Sequence, residues 1–161
     1  MKSFRQRAAD GLKIGDRFTL SRCFSVEDIL RFAQISRDYN PVHFDQRFAE
    51  AHHFKAPVSH GLLTASLVTE IGGQIGWLAA SMTFNFKRPV YPGDTVTCVW
   101  LITELDSKGR ATAVVTLTNE DGVVVLEGET RGVAPSADQR ELLKRLLIAG
   151  DSGDAARAPK Q

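Results

Sequence analysis

Cysteine is scarce in this sequence, and so are long apolar runs and any excess of charge of one sign. The chain contains only Cys23 and Cys98, with no Cys-x-x-Cys pair, so neither a disulfide framework nor a cysteine zinc site is expected. We expect both cysteines to pack in strands as small apolar side chains. The adjacent histidines His52-His53 fit a surface loop better than a metal site, because neighbouring side chains diverge on a helix or a strand. No metal is predicted.

Charge and hydropathy exclude two classes of partner. The 20 basic and 19 acidic residues leave a net charge of +1, which provides no basic field for nucleic acid. No apolar run is long enough to span a bilayer, and the first residues lead into a charged segment instead of a signal peptide. The sequence therefore predicts a cytoplasmic protein with no nucleic-acid or membrane partner.

The hydrophobic pattern predicts an α+β domain. A short strand at 17–24 precedes a helix that starts from a capping box at Ser25 and runs up to Asp38, and a brief helix follows at 46–51. Residues 61–73 are apolar nearly all the way round, which indicates a buried helix. Four β-rich runs come next, with hairpin signals between the last three, at 79–87, 95–106, 110–119 and 123–132. We expect an antiparallel sheet wrapped around a central buried helix.

The length of 161 residues fits one domain with a C-terminal appendage. The sequence changes character past Pro135, so we place the domain at 1–134 and the appendage at 135–161. Within the appendage, Ser136 to Ala149 has the leucine spacing of a short amphipathic helix, whereas 150–161 has too little apolar content to fold.

The most informative segment is Asp38-Tyr39-Asn40-Pro41-Val42-His43. Pro41 fixes its own φ and biases Asn40 to an extended conformation, so this turn is stiff. A carboxylate beside an imidazole that titrates near neutrality is an acid/base pair suited to chemistry on a small substrate. Taken alone, the turn is about equally compatible with ordinary turn chemistry, with His43 as a packing residue.

The residues around this turn narrow the interpretation. Three features of the sequence in addition to the turn carry a family resemblance: His60-Gly61, the apolar helix that starts there, and the late segment 84–94. The signature residues are Phe32, Ile35, Ser36, Asp38, Asn40, Pro41, Val42, His43 and Ala49. Over roughly residues 12–133, the chain resembles the (R)-specific enoyl-CoA hydratase group of the MaoC-like dehydratases, whose domains adopt the hot-dog fold.

This resemblance implies hydration of a trans-2-enoyl-CoA to the (R)-3-hydroxyacyl-CoA, or the reverse, with one water held between Asp38 and His43. Asp38 is the expected base, and His43 is expected to orient the water and share the proton transfers. The resemblance also implies that Gly61 binds the thioester, a role that suits the free N–H groups and positive dipole end of a helix start. Without the resemblance, a plain loop-to-helix junction is the favoured interpretation of Gly61. No cofactor is expected, since CoA is part of the substrate.

Other positions are given supporting roles. Asn40 is expected to bond Asp38 or the turn backbone. The position of Thr69 resembles one where related hydratases place a serine near the catalytic aspartate; threonine keeps the hydroxyl group but adds a methyl group. Arg37 stands where the family signature often has glycine, which is acceptable if the turn does not need a positive φ. Lys87 and Arg88 fit either CoA phosphates or ordinary solvated surface.

Several alternatives stay open. The same fold hosts acyl-CoA thioesterases, and a non-catalytic acyl-binding subunit would use the same groove. A dehydratase acting on carrier-protein-bound substrates is a close variant. An open sheet edge predicts a homodimer, and hot-dog relatives commonly build the acyl tunnel at that interface. The sequence predicts neither the acyl chain length nor the group that protonates C2.

Overall fold

A five-stranded antiparallel sheet forms the frame of the molecule. The structure, a computed structural model, describes residues 2–149. The helices are α1 Phe4–Asp10, α2 Val26–Ser36, α3 Gln46–Ala51, α4 Gly61–Gln74 and α5 Ala137–Ala149, with a 3₁₀ turn at Pro41–His43. The strands are β1 Arg17–Cys23, β2 Leu78–Phe86, β3 Thr95–Leu105, β4 Arg110–Thr118 and β5 Val124–Val133.

The strand order across the sheet is β1-β3-β4-β5-β2. The two predicted hairpins, β3–β4 and β4–β5, are confirmed. The two edge strands are placed by long connections instead: β1 pairs with β3, with Phe18 opposite Trp100, and β2 pairs with β5, with Phe84 opposite Gly128. The expected α+β architecture is thus confirmed, and β1 and β2 leave two open edges.

Helix α4 supplies the centre of the core. Leu67, Val68 and Ile71 are fully buried, which contributes roughly 1.5–3 kcal/mol for each side chain. Gly72 faces the sheet beside Trp100, where a Cβ would make an ordinary van der Waals contact, 3.6 Å from Cη2 of that ring. The opposite face of α4 is uncovered in the single chain, and Leu62 is 61% exposed. The helix is therefore central but buried on one side only.

The two cysteines differ in their surroundings. Cys98 is buried in β3, as expected, and burial raises the pKa of its thiol to about 12. The expectation for Cys23 was wrong: the residue is exposed at the end of β1, where its thiol donates to the Gly93 carbonyl at 3.3 Å. Since β1 is an edge strand, its last residues lie beyond the cover of the core.

Two terminal helices pack beside each other. Helix α1, which we did not predict, starts from a capping box between Ser3 and Gln6, and Phe4 packs edge-on against Phe18 with ring centroids 5.1 Å apart. Helix α5 forms within the proposed appendage, where Leu143 packs against the core.

The expected division into a domain at 1–134 and an appendage stays a prediction, and its unfolded tail at 150–161 lies outside the described residues. Between residues 2 and 149, no helix combines the length and apolarity needed to cross a membrane.

Candidate active site

The turn that carries Asp38 begins in a strained conformation. Helix α2 ends at Ser36, and Arg37 adopts a left-handed conformation with φ 58° and ψ 23°. Its N–H donates to the Ala33 carbonyl at 2.7 Å, so the backbone reverses at the helix end. The sequence made arginine acceptable at position 37 only if the turn did not need a positive φ, and the turn does have one. For a residue other than glycine, this left-handed conformation costs roughly 1–2 kcal/mol.

One backbone amide holds the Asp38 carboxylate. Its Oδ1 accepts a hydrogen bond from the Asn40 main-chain N–H at 3.1 Å. The Asn40 side chain turns the other way, and its Oδ1 accepts from the Val42 N–H at 3.1 Å. Of the two supporting roles considered for the Asn40 side chain, the structure shows the bond to the turn backbone. The carboxylate is fixed by the amide of Asn40, not by its carboxamide.

His43 lies on the 3₁₀ turn with a defined tautomer. Its Nδ1 is 2.7 Å from the Val58 carbonyl oxygen; because a carbonyl can only accept, Nδ1 carries the hydrogen and the neutral ring has its lone pair on Nε2. Nε2 lies 3.7 Å from Asp38 Oδ2, too far for a direct hydrogen bond but close enough for one water to contact both atoms.

The surroundings of His43 favour its neutral form. Burial lowers the pKa of His43, and the neighbouring His60 lowers this pKa further. The hydrogen bond to Val58 and the Asp38 carboxylate act in the opposite direction without overcoming the burial. Nε2 of His43 is therefore a hydrogen-bond acceptor near neutral pH, beside a second acceptor, the Asp38 carboxylate.

His60 completes this cluster, although the sequence marked it only as part of a family landmark. Its side chain is buried, and Nε2 lies 3.0 Å from the main-chain carbonyl oxygen of Asp38, so Nε2 carries the donated hydrogen. Its ring stacks on that of His43 with centroids 3.8 Å apart. The sequence around His60 predicted neither the hydrogen bond to Asp38 nor the stacking on His43, because both contacts depend on tertiary packing between segments far apart in the chain.

Asp38, His43 and Gly61 line one cavity of about 610 Å³. Its walls are mostly apolar and come from α2, the segment before α4, the end of β2 and the start of β5; they include Phe32, Phe54, Val58, Leu62, Phe86, Val90, Val125 and Leu126. At the start of α4, no side chain of the described residues caps the helix. Gly61 lines the cavity beside Asp38 and His43, and its role as the thioester-binding residue stays a prediction.

The remaining predicted residues lie at the margin or outside. Thr69 is exposed on α4 and does not line the cavity; its Oγ1 donates to the Ser66 carbonyl at 2.8 Å. Lys87 and Arg88 do line the cavity. The Lys87 ammonium is 2.7 Å from a Glu127 carboxylate oxygen, and Nη1 of Arg88 donates to the Lys87 carbonyl at 2.8 Å.

The set Asp38, His43 and His60 is close enough to suggest a metal, since one potential ligand atom from each lies within 4.8 Å of the others. The ring geometry does not fit one. The two imidazoles stack face to face with planes 28° apart, so their in-plane lone pairs do not converge on a common point. Each ring also uses one nitrogen to bond a main-chain carbonyl. The proximity is explained by packing.

Comparison with known proteins agrees with this geometry. A sequence profile of the family described as MaoC like domain matches residues 9–124. The (R)-specific enoyl-CoA hydratase of Aeromonas caviae is 34% identical over 127 residues, which cover 76% of this chain and 95% of that protein. A mitochondrial 3-hydroxyacyl-[acyl-carrier-protein] dehydratase of Arabidopsis thaliana is 32% identical over 145 residues, covering 86% of this chain and 87% of the relative.

The fold is shared with solved structures. One described as the (R)-hydratase from A. caviae involved in PHA biosynthesis superposes with a TM-score of 0.72 and 33% identity, covering 78% of this chain and 98% of that one. The expected hot-dog fold is confirmed. By its profile match and its overall similarity to these relatives, the chain belongs to the MaoC-like dehydratase family.

Proposed function

We propose that this chain catalyses the (R)-specific hydration of a trans-2-enoyl-CoA to the (R)-3-hydroxyacyl-CoA, and the reverse dehydration. The observation that carries the proposal is that Nε2 of His43 and Oδ2 of Asp38 lie 3.7 Å apart in the same cavity as the backbone of Gly61. The similar (R)-specific hydratase of A. caviae supports the same reaction.

The pair suits the activation of one water. Both Nε2 of neutral His43 and the Asp38 carboxylate accept hydrogen bonds, so a water between them donates one hydrogen to each and directs a lone pair toward C3 of the substrate. Asp38 is the base: it takes a proton as the water oxygen bonds to C3. His43 orients the water and shares the proton transfers, and a proton is then returned to C2.

The start of α4 suits the charge that develops on the thioester. As the C3–O bond forms, the π electrons of C2=C3 shift toward the carbonyl oxygen. The Gly61 N–H donates to this oxygen, and the positive end of the α4 dipole adds to the stabilisation. One well-placed donor of this kind lowers the barrier by about 2.7–4 kcal/mol. Protonation at C2 discharges the oxygen and completes the addition of water.

No cofactor takes part in the proposed reaction. Adding water to a double bond changes no net oxidation state, and the acid/base pair and the helix start supply the required groups. CoA enters as part of the substrate, and Lys87 and Arg88, at the margin of the cavity, are the cations we assign to its phosphates. We retain the cytoplasm as the proposed location.

We propose a homodimer as the working form. Strand β2 is an edge of the sheet, and Leu78 is 73% and Phe86 is 55% exposed along it. The uncovered face of α4 carries Leu62 and Thr69. Pairing of two β2 edges would cover these apolar side chains and place Thr69 at the interface. This arrangement gives Thr69 its supporting role beside an acyl tunnel.

A carrier-protein-bound thioester is the second candidate substrate. The A. thaliana dehydratase named for carrier-bound substrates is 32% identical, close to the value for the A. caviae hydratase. Both substrate classes share the thioester and the C2=C3 bond, so the chemistry at Asp38 and His43 is the same.

The test is to incubate the protein with crotonyl-CoA, following enoyl absorbance and free thiol together. We expect enoyl absorbance to fall without thiol release, and the product to be the (R)-enantiomer. Thiol release without enoyl loss would indicate the thioesterase alternative, and no change in either signal, with carrier-bound crotonate also unchanged, would indicate a non-catalytic subunit. Asp38→Asn, which keeps the shape of the side chain, is expected to lower hydration by about 10²-fold or more.

A further inference from the structure

We propose that His60 is a positioning residue of this site. Its Nε2 holds the main chain of Asp38 through a hydrogen bond, and its ring face holds the ring of His43 by stacking. The proposal rests on the proposed function for its effect on turnover, but its geometric basis is independent of the reaction. His60 has no side-chain capping bond at α4, so its ring is free to serve the turn instead of the helix that it precedes.

The hydrogen bond from His60 joins the two halves of the site. Nε2 donates to the Asp38 carbonyl at 3.0 Å, so the turn that carries the base is tied to the residue before Gly61. The turn needs such a tie, because the Asp38 side chain is 48% exposed and Arg37 beside it is held in a left-handed conformation. Burial alone does not fix this turn.

The stack restricts the second catalytic side chain. With ring centroids 3.8 Å apart, His60 covers one face of the His43 ring, while the Val58 carbonyl holds its Nδ1. The His60 ring is itself fixed: it is 1% exposed and contacts the Phe32 and Phe44 rings, with centroids 5.0 Å and 6.0 Å away. Rotation of His43 away from Asp38 is thereby opposed on two sides.

His60 also affects the charge state of His43. The titratable groups facing His43 are Asp38 at 3.7 Å and the stacked His60. Charged side chains that share a cavity with His43 are Lys87 and Arg88 in the first cavity and Lys55 and Asp94 in a second one that His43 also lines. Both the bulk and the potential positive charge of His60 oppose protonation of His43, in agreement with the lowered pKa of His43.

Two substitutions separate these roles. His60→Gln keeps an N–H donor near the position of Nε2 but removes the aromatic face, whereas His60→Phe keeps the face and removes the donor. We expect His60→Phe to lower kcat about three- to tenfold, the usual worth of one hydrogen bond, with KM little changed, and His60→Gln to lose less. His52→Gln is the matched control, because His52 is exposed and does not line the cavity.

The second readout is the titration of the His43 ring, followed by NMR in each protein. We expect the pKa of His43 to rise in both variants, more in His60→Gln than in His60→Phe because the former also loses the covering ring, and to stay unchanged in His52→Gln. A purely structural role would alter the melting temperature without moving this titration.

The outcomes distinguish the two proposals. If the wild-type protein hydrates crotonyl-CoA but both His60 variants keep its kcat and its His43 titration, the positioning role is wrong. If the wild type shows no hydration while the His43 titration shifts as expected, the proposed function fails and the positioning of His43 stands. If His60→Phe does not fold, His60→Gln decides: a raised His43 pKa supports the role, and an unchanged one overturns it.

Discussion

The ring of Phe86 lies against the α-carbon of Gly61, so that a Cβ at residue 61 would stand 2.6 Å from Cε1 of that ring. Glycine at this position therefore has two physical explanations. The present position of the Phe86 ring leaves no room for a side chain, and the proposed contact with a thioester oxygen needs an unobstructed backbone. The two explanations predict different behaviour when Phe86 is also changed.

Gly61→Ala is expected to reduce hydration by about 10²-fold, the cost of losing one donor to the developing negative charge. The methyl group also displaces the Phe86 ring, but this residue is 55% exposed, so the loss of stability should be less than the roughly 1–3 kcal/mol typical of an overpacked core. Stopped assays with crotonyl-CoA and thermal unfolding measure the two effects separately.

The control is the double variant Gly61→Ala/Phe86→Ala, compared with Phe86→Ala alone. Removing the ring should relieve the steric clash, but turnover should stay low because the methyl group still obstructs the amide. Recovery of turnover to the level of Phe86→Ala would mean that glycine is required only for packing.

The acidic limb of the pH profile is expected to reflect His43. Burial lowers the pKa of His43 below its ordinary value of 6.5, and Nε2 accepts from water only when the ring is neutral. Activity should therefore persist as the pH falls to 6.5 and disappear at a lower pH, where His43 becomes protonated. A plot of kcat/KM against pH measures this limb; a limb above 6.5 would contradict the assignment.

Asp38→Asn gives a second measurement on the same ring. Because the Asp38 carboxylate raises the pKa of His43, its neutralisation should move the His43 titration to still lower pH. NMR detects this shift even though the variant is expected to be inactive. A titration displaced to higher pH would show that the two side chains do not face each other as described.

Arg37→Gly should stabilise the protein. Glycine adopts the left-handed conformation of residue 37 without the penalty that arginine carries, and we expect a gain of about 1 kcal/mol, or about 2–4 °C in melting temperature for a chain of this size. Among the described residues, Arg37 and His53 are the two residues other than glycine that have a positive φ, which is 63° at His53. His53→Gly is therefore the matched control, and it should stabilise the protein in the same way. Both variants should keep turnover within about twofold. A lower melting temperature for Arg37→Gly alone would show that the Arg37 side chain outweighs the strain.

How far the sequence predicts this fold depends on how local each signal is. Helices α2, α3 and α4 and the hairpins of β3, β4 and β5 follow from caps, periodicity and turn residues within a few positions of each element. The pairing of β1 with β3 and of β2 with β5 joins residues far apart in the chain, and no local pattern encodes it. Helix α1 had a capping-box signal at Ser3 and Gln6, but only a short apolar stretch followed it.

The site shows the same division. The stiff turn predicted that Asp38 and His43 lie close together, but the roles assigned to them and to Gly61 rest on the family resemblance and stay predictions. The left-handed conformation of Arg37 had one signal, since the family signature often has glycine at this position, but the position of His60 on His43 depends on tertiary packing that the sequence did not indicate. The exposure of Thr69 in the single chain likewise depends on tertiary packing, since the apolar pattern of its helix predicted burial on all sides.

The homodimer proposal predicts a particle of twice the 17.7 kDa chain mass by light scattering. Met82→Lys, on the edge strand β2, should convert it to a monomer, because two-fold symmetry brings the two introduced charges together at an interface that must exclude water. Val123→Lys is the control, since Val123 is also an exposed apolar residue but lies in the β4–β5 turn. A monomeric wild type would contradict the proposal, as would a dimer that tolerates lysine at residue 82.

Helix α4 begins without a side-chain cap from the described part of the chain, and this has a thermodynamic consequence. Within residues 2–149, no side-chain acceptor bonds the first amide groups of this central helix, whereas under the proposed function a bound thioester supplies one. Occupancy by a slowly reacting acyl-CoA should therefore raise the melting temperature, with about 2.7 kcal/mol of added stability at a concentration one hundred times its Kd. Thermal tolerance and substrate affinity are linked through the same few backbone groups.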